Sequence, residues 1–193
     1  MKYDIRLLTK AADALLPKLT NPRHRAIISN YRRHALLEVS GLYEELLAPD
    51  MVVEEPDYWL FQGGTIHYQG MNKVQALYKS LVDTGTCVMM LEDEHLMVDD
   101  WGFSSEATFN TFLPGWIAAS RGAEIDDLGA TYIATAKYAM HWPYDAQARL
   151  IGERVYMGGF TYRKCPPNEV LTMDEVRETL MPRIEEARAL AAA

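Results

Sequence analysis

The chain has 193 residues, 49% of them hydrophobic, and a formal charge of −8. That length supports one well-formed core and is short for two large domains, so a single domain over residues 1–193 is expected. The negative charge and the lack of a long Lys/Arg run exclude a nucleic-acid surface and an anionic-membrane surface, because both need a basic patch.

Cys87 and Cys165 stand far apart without a CxxC pair, so neither a disulfide framework nor a cysteine metal site is indicated. The opening MKYDIRLLTK is interrupted by Asp4 and Arg6, and no stretch reaches 18 apolar residues. A soluble, unprocessed, cytoplasmic protein is expected, with small molecules or other subunits as partners and no membrane or nucleic acid.

In chain order, Ile5, Leu8, Ala12, Leu15 and Leu16 repeat at helical spacing and Pro17 stops them, giving an expected helix over residues 3–16. Asn21-Pro22 reads as an N-cap with proline at the first helical position. The stripe Ile27, Ile28, Tyr31, Ala35, Leu36, Val39 follows, and Gly41 breaks it. A short piece over 42–47 ends at Pro49. From Met51 the pattern changes to strand formers, with Gly63-Gly64 turning a hairpin whose second strand is 65–69. Residues 71–83 read as the third main helix, closed by Gly85. Long strands are expected over 87–98, 103–113, 132–142 and 150–162, joined by short turns and forming an antiparallel, strongly curved sheet. The segment 114–130 reads as one long loop of the kind that serves as a lid or binding loop. Thr172 and Glu175 form a capping-box pattern opening a helix over 172–190, whose tail from Ala187 to Ala193 is expected to fray.

This order of elements resembles the nuclear transport factor 2-like superfamily over residues 22–164, with the first and last helices as additions. The strings LLAPDMVVEEPDYW, YQGMNKVQALY and RLIGERVY are similar to its SnoaL-like branch. The resemblance implies an α+β fold: a cone-shaped α+β barrel whose curved antiparallel sheet wraps around helices and encloses an apolar cavity. In the ketosteroid isomerases of this superfamily a helix tyrosine donates a hydrogen bond to the substrate oxygen, and a carboxylate just before a strand proline moves the proton. Tyr31 and Glu55, 24 residues apart, match that pattern. The third isomerase group, a protonated aspartate on a later strand, aligns with Met140, so stabilising a dienolate would rest on Tyr31 alone or on a replacement such as the indole N–H of Trp142. The Arg-x-Asp of limonene epoxide hydrolases is absent. Where scytalone-type dehydratases place a cavity histidine, the chain reads Thr86-Cys87-Val88-Met89.

Each residue has a bland reading beside the functional one. Glu55 is either a general base raised in pKa by an apolar lining of Val53, Met89, Met90, Phe103, Tyr138, Met140 and Trp142, or a solvated carboxylate. Tyr31 is either a donor or a core tyrosine. His34 either shares the face of Tyr31 as a substrate contact or sits at the rim beside Arg32 and Arg33. His67 is a second acid/base candidate, with Asp57 placed to orient it; Tyr58 is a further binding candidate. His141 lies between Met140 and Trp142, so alternation turns it away from the face they share. Asp99-Asp100-Trp101-Gly102 is explained by a type I turn. Glu153 and Arg154 point opposite ways, so only one of them reaches a pocket.

The function expected is cofactor-independent, metal-free proton transfer by a lyase or isomerase: a dehydratase, isomerase or cyclase acting on a hydrophobic ring-bearing molecule. Elimination of water is favoured over isomerisation because the later-strand acid is missing. The alternative is a non-catalytic small-molecule-binding or assembly protein of the same fold. A homodimer is expected, as in relatives with open curved sheets.

Overall fold

The computed structural model describes residues 2–191. Its first structured piece is shorter than the sequence suggests. The Asp4 side chain accepts from the Arg6 amide at 3.1 Å and holds a separate 3-10 turn at Ile5–Leu7. Helix α1 (Lys10–Leu15) has six residues and runs into a second 3-10 turn at Leu16–Lys18, where Pro17 forbids a continuing α-helix. The expected single helix over 3–16 is therefore three short turns.

Helix α2 (Pro22–Val39) begins as the sequence predicts. Asn21 Oδ1 accepts from the Arg23 amide at 2.9 Å, and Pro22 occupies the first turn, where its missing N–H costs nothing. This helix is buried on almost every side. One face carries Ile27, Tyr31, His34 and Ala35. Another is fixed by ion pairs: Arg32 to Asp13 at 2.6 Å and Glu186 at 2.9 Å, and Arg33 to Asp50 at 2.6 Å and Glu45 at 3.0 Å. Both arginines are buried, so each pairing offsets a desolvation that an unpaired charge could not tolerate. The short α3 (Tyr43–Leu46) follows the left-handed Gly41.

Strands β1 (Asp57–Phe61) and β2 (Thr65–Gln69) form the hairpin. Helix α4 (Met71–Asp83) matches the expected bounds. Then β3 (Met89–Asp99) and β4 (Gly102–Pro114) turn at Asp99–Gly102. The expected long loop contains a helix, α5 (Gly115–Ser120), packed by Ala118 on Leu113, Tyr132 and Ala134 in a small second core. Strand β5 (Thr131–Pro143) pairs with β4 along its whole length.

The expected strand over 150–162 is divided into β6 (Arg154–Met157) and β7 (Thr161–Lys164). Between them Gly158 donates to Lys137 O at 2.8 Å and leaves the ladder, so the two pieces pair with different parts of β5. A 3-10 turn at Pro167–Glu169 leads to α6 (Met173–Ala191). Thr172 Oγ1 caps α6 by accepting from the Glu175 amide at 3.2 Å. The helix continues to Ala191 with Ala187 buried, and the rest of the tail expected to fray, residues 192 and 193, lies outside the described ones.

The sheet order is β2-β1-β6-β5-β4-β3, with β7 also on β5, in a curved and unclosed α+β arrangement. One pair departs from the antiparallel expectation, since β1 and β6 run parallel through Trp59↔Arg154 to Phe61↔Tyr156. Gly152 makes that approach possible: a Cβ there would stand 1.9 Å from Asp57 O. The main core fills the concave side of the sheet against α2, α4 and α6.

Candidate functional site

A cavity of about 330 Å³ lies between α2, α4 and the concave side of the sheet. Leu77, Leu91, Phe109, Met140, Val155 and Met157 supply apolar wall, and Phe109 stacks on Tyr138 with ring centroids 4.1 Å apart. Exposed Gln62, Ser80 and Arg121 mark its mouth.

Four polar side chains meet in this wall. Tyr78 of α4 donates its hydroxyl to Glu153 Oε1 at 2.8 Å and lies 3.1 Å from His34 Nε2. His34, three residues beyond Tyr31 on α2, is fully buried, and its Nε2 stands 3.5 Å from Glu153 and 3.6 Å from Glu38. Glu38 follows His34 by one helical turn and so shares its face. Glu153 is brought in by strand alternation: with Val155 turned to the cavity, residue 153 turns the same way.

Burial first, and the charge of Glu38 second, push the Glu153 carboxyl well above the ordinary carboxylate range, while the Tyr78 hydrogen bond draws part of that back. Burial, then the Glu153 charge, raises the Tyr78 phenol well above its usual value. The cluster thus contains a carboxyl raised by burial, a phenol and a histidine ring, joined through the Tyr78 hydroxyl. His34 Nδ1 and Trp142 Nε1 are buried and have no hydrogen-bond partner among the described residues. The two rings pack 4.7 Å apart, and both residues line the cavity.

Tyr31 also lines the cavity, with its hydroxyl directed to Glu94. A β-bulge delivers that carboxylate. Asp93 has φ 52°, the register with β4 shifts between Glu92 and His95, and the inward phase passes from Met89 and Leu91 to Glu94 and Leu96. Burial pushes Glu94 up to about 7 despite the hydrogen bond from Tyr31. Burial, then the Glu94 charge, raises Tyr31 well above its usual value.

The expected pairing of Tyr31 with Glu55 is not present. Val52 makes only an isolated bridge to Leu150, and Pro56 has no N–H for a ladder, so Glu54 and Glu55 lie on an exposed bend before β1 begins. The Glu55 carboxylate stands against Gly70, ahead of α4, where the positive end of that helix favours it. Nor do His67 and Asp57 reach the cavity. They pair with each other as expected, at 2.6 Å, but on the outer face of the hairpin, where His67 stacks on Trp59 with centroids 3.7 Å apart. Burial works against the Asp57 carboxylate, yet hydrogen bonds from His67 and Trp59 hold it below the usual range.

Of the expected binding residues, His34, Met89, Tyr138, Met140 and Trp142 line the cavity. Tyr58 and Phe103 are buried behind it, Tyr58 edge-on to Tyr78 and Phe103 against Tyr31. Val53 and Met90 do not line it either: Val53 precedes β1, and Met90 alternates away from Met89 and Leu91. His141 faces outward, 2.8 Å from Ser104 Oγ, as alternation requires.

No protein-family model matches the sequence, and no curated protein matches it. Solved structures do. A provisionally assigned SnoaL-like polyketide cyclase from Jannaschia sp. CCS1 superposes with a TM-score of 0.52 at 9% identity, over 72% of this chain and 90% of its own. A provisionally assigned polyketide cyclase from Xanthomonas campestris pv. campestris gives 0.52 at 12%, over 69% and 91%. The chain shares its fold with these two solved structures, one of which is described as SnoaL-like. A phenazine biosynthesis-related protein from Pseudomonas aeruginosa also superposes, at 0.49 and 12%, over 70% of this chain and 81% of its own. Among the described residues no helix is long and apolar enough to cross a membrane. The curved sheet thus accounts for the position of the cavity, and His34, Glu38, Tyr78 and Glu153 supply its polar wall.

Proposed function

We propose that the protein is a cofactor-independent acid/base enzyme of the lyase or isomerase kind, acting on a hydrophobic ring-bearing small molecule held in the cone. The observation that supports this reading is the buried His34–Tyr78–Glu153 relay in an otherwise apolar wall. Several polar groups joined in one cavity are costly for a core and useful for moving a proton. The solved structures of the same fold that are described as polyketide cyclases point the same way.

In this reading His34 takes a proton from a carbon next to a carbonyl. The C–H electron pair moves toward the oxygen, which accepts a hydrogen bond from the unpartnered Trp142 Nε1–H. Glu153, holding a proton at the start, returns it to the product through the Tyr78 hydroxyl. The proton on His34 then passes back to Glu153 across the same contacts, so that both groups are restored. Such general acid/base assistance contributes roughly 10² to 10⁴ in rate. The expected preference for elimination over isomerisation loses its basis, because Glu153 supplies the buried acid that Met140 does not.

Deuterium uptake by a hydrophobic ring ketone such as 2-decalone, in D₂O at neutral pH, tests the proposal. Exchange above the buffer rate is expected, falling by roughly 10² or more in H34Q and E153Q. Calorimetric binding of the ketone with exchange at the buffer rate would favour the non-catalytic carrier of the same fold.

A further inference from the structure

Arg121 is the one Lys or Arg among the described residues that line the cavity. It is exposed, caps the end of α5, and has no ion pair or side-chain hydrogen bond among the described residues. The segment that carries it is anchored rather than loose. Ile117, Ala118 and Ala123 pack in the second core, and Ala123 N donates to Ala118 O at 3.1 Å. Of the acids in the same segment, Asp126 and Asp127 pair with Lys164 at 3.1 and 3.2 Å, and Glu124 is exposed and makes no ion pair with Arg121. Its charge is felt inside the cone: burial pushes the Tyr138 phenol up to about 12, and Arg121 works against that rise.

The two ends of the cavity therefore differ in kind. The wall near His34 holds acids and unpartnered polar atoms, and the mouth holds a cation with neutral Gln62 and Ser80 beside it. In a chain of charge −8, an unneutralised guanidinium beside a hydrophobic cavity gives an anion both attraction and a planar fork of donors. We propose that Arg121 binds a carboxylate on the ligand, so that the substrate is an amphipathic acid whose ring enters first and whose carboxylate stays at the mouth. This assignment rests on the cavity as the binding site described above and adds the class of molecule it selects.

Calorimetric titration with 2-naphthylacetic acid and with 2-naphthylacetamide, a neutral molecule of nearly the same shape, tests it on the whole protein and on R121Q and R121K. The unaltered protein is expected to bind the acid roughly tenfold more tightly than the amide, with the preference shrinking in 0.5 M salt. R121Q should lose the preference by weakening the acid alone, and R121K should keep part of it, since it retains the charge without the fork. Equal binding of acid and amide, or a preference that survives in R121Q, overturns the role of Arg121 and leaves the cavity reading standing. If neither probe binds, the cavity reading fails and the Arg121 assignment falls with it.

Discussion

Tyr31 donates its hydroxyl to Glu94 from a helix, and Glu94 meets it from a strand position that regular alternation would turn to solvent. The bulge at Asp93 makes the contact, and the carboxyl it buries lies at about 7 rather than the ordinary 4.5. A carboxyl raised on folding holds its proton in the native state after the unfolded chain has released it. Its effect on stability is therefore absent below about pH 4.5, grows unfavourable as pH rises, and is complete above about pH 7.

Urea denaturation at pH 5 and pH 8 should show this directly. The unaltered protein is expected to lose up to about 3 kcal/mol more than E94Q between the two, the upper value being about 1.4 kcal/mol for each pH unit from pH 5 to about 7. Parallel pH profiles for the two proteins would show that Glu94 is not held neutral.

The outer pair and the exposed bend should be silent in chemistry. H67Q and E55Q are expected to keep deuterium exchange within about twofold of the unaltered protein, because neither side chain reaches the cavity and exposed pairs contribute little. A hundredfold loss in either would return the site to the hairpin.

Trp142 offers a separable test of its N–H. W142F keeps an aromatic ring beside Tyr31, His34 and Phe103 but removes a donor that has no partner among the described residues. Binding of 2-acetonaphthone, measured by calorimetry, should weaken about tenfold, near the 1.5 kcal/mol of one hydrogen bond, while naphthalene binding stays level. Equal losses for both ligands would assign Trp142 to packing alone.

Gly152 is a test of the parallel strand pair. G152A places a methyl group 1.9 Å from Asp57 O, so β1 and the segment leading to β6 must separate. A loss of about 1–3 kcal/mol is expected from overpacking, read as a lower midpoint in thermal unfolding. An unchanged midpoint would mean that the two strands have room to part.

The helices around the cavity are largely legible in the sequence because punctuation agrees with periodicity. Asn21-Pro22 starts α2, and Gly70 and Gly85 bracket α4. The cone follows from that order, and Met140 and Trp142 fall on its inner face by simple alternation. Alternation also explains the failures. Glu94 is hidden by one extra residue in β3, which reverses the phase for the rest of the strand. Glu55 is misplaced because an apolar run before a proline resembles a strand, although Val52 makes only one bridge. Glu153 has a usable signal in its phase with Val155, but a choice between it and Arg154 needs the sheet's neighbours. Glu38 and Tyr78 lie on helix faces already read as apolar, four residues from His34 and beside Leu77, where helical spacing alone does not separate core from chemistry.

Helix α2 behaves like an indexed shaft. Its angular setting about its own axis is fixed on the far side by Arg32 and Arg33, whose carboxylate partners come from α1, α3, α6 and the segment after α3. A slip of one residue would rotate the shaft by about 100° and carry His34 away from Glu153. The proton transfer proposed for the cone would thereby be tied to salt contacts on the other side of the helix, and those arginines are where distant substitutions would alter its rate.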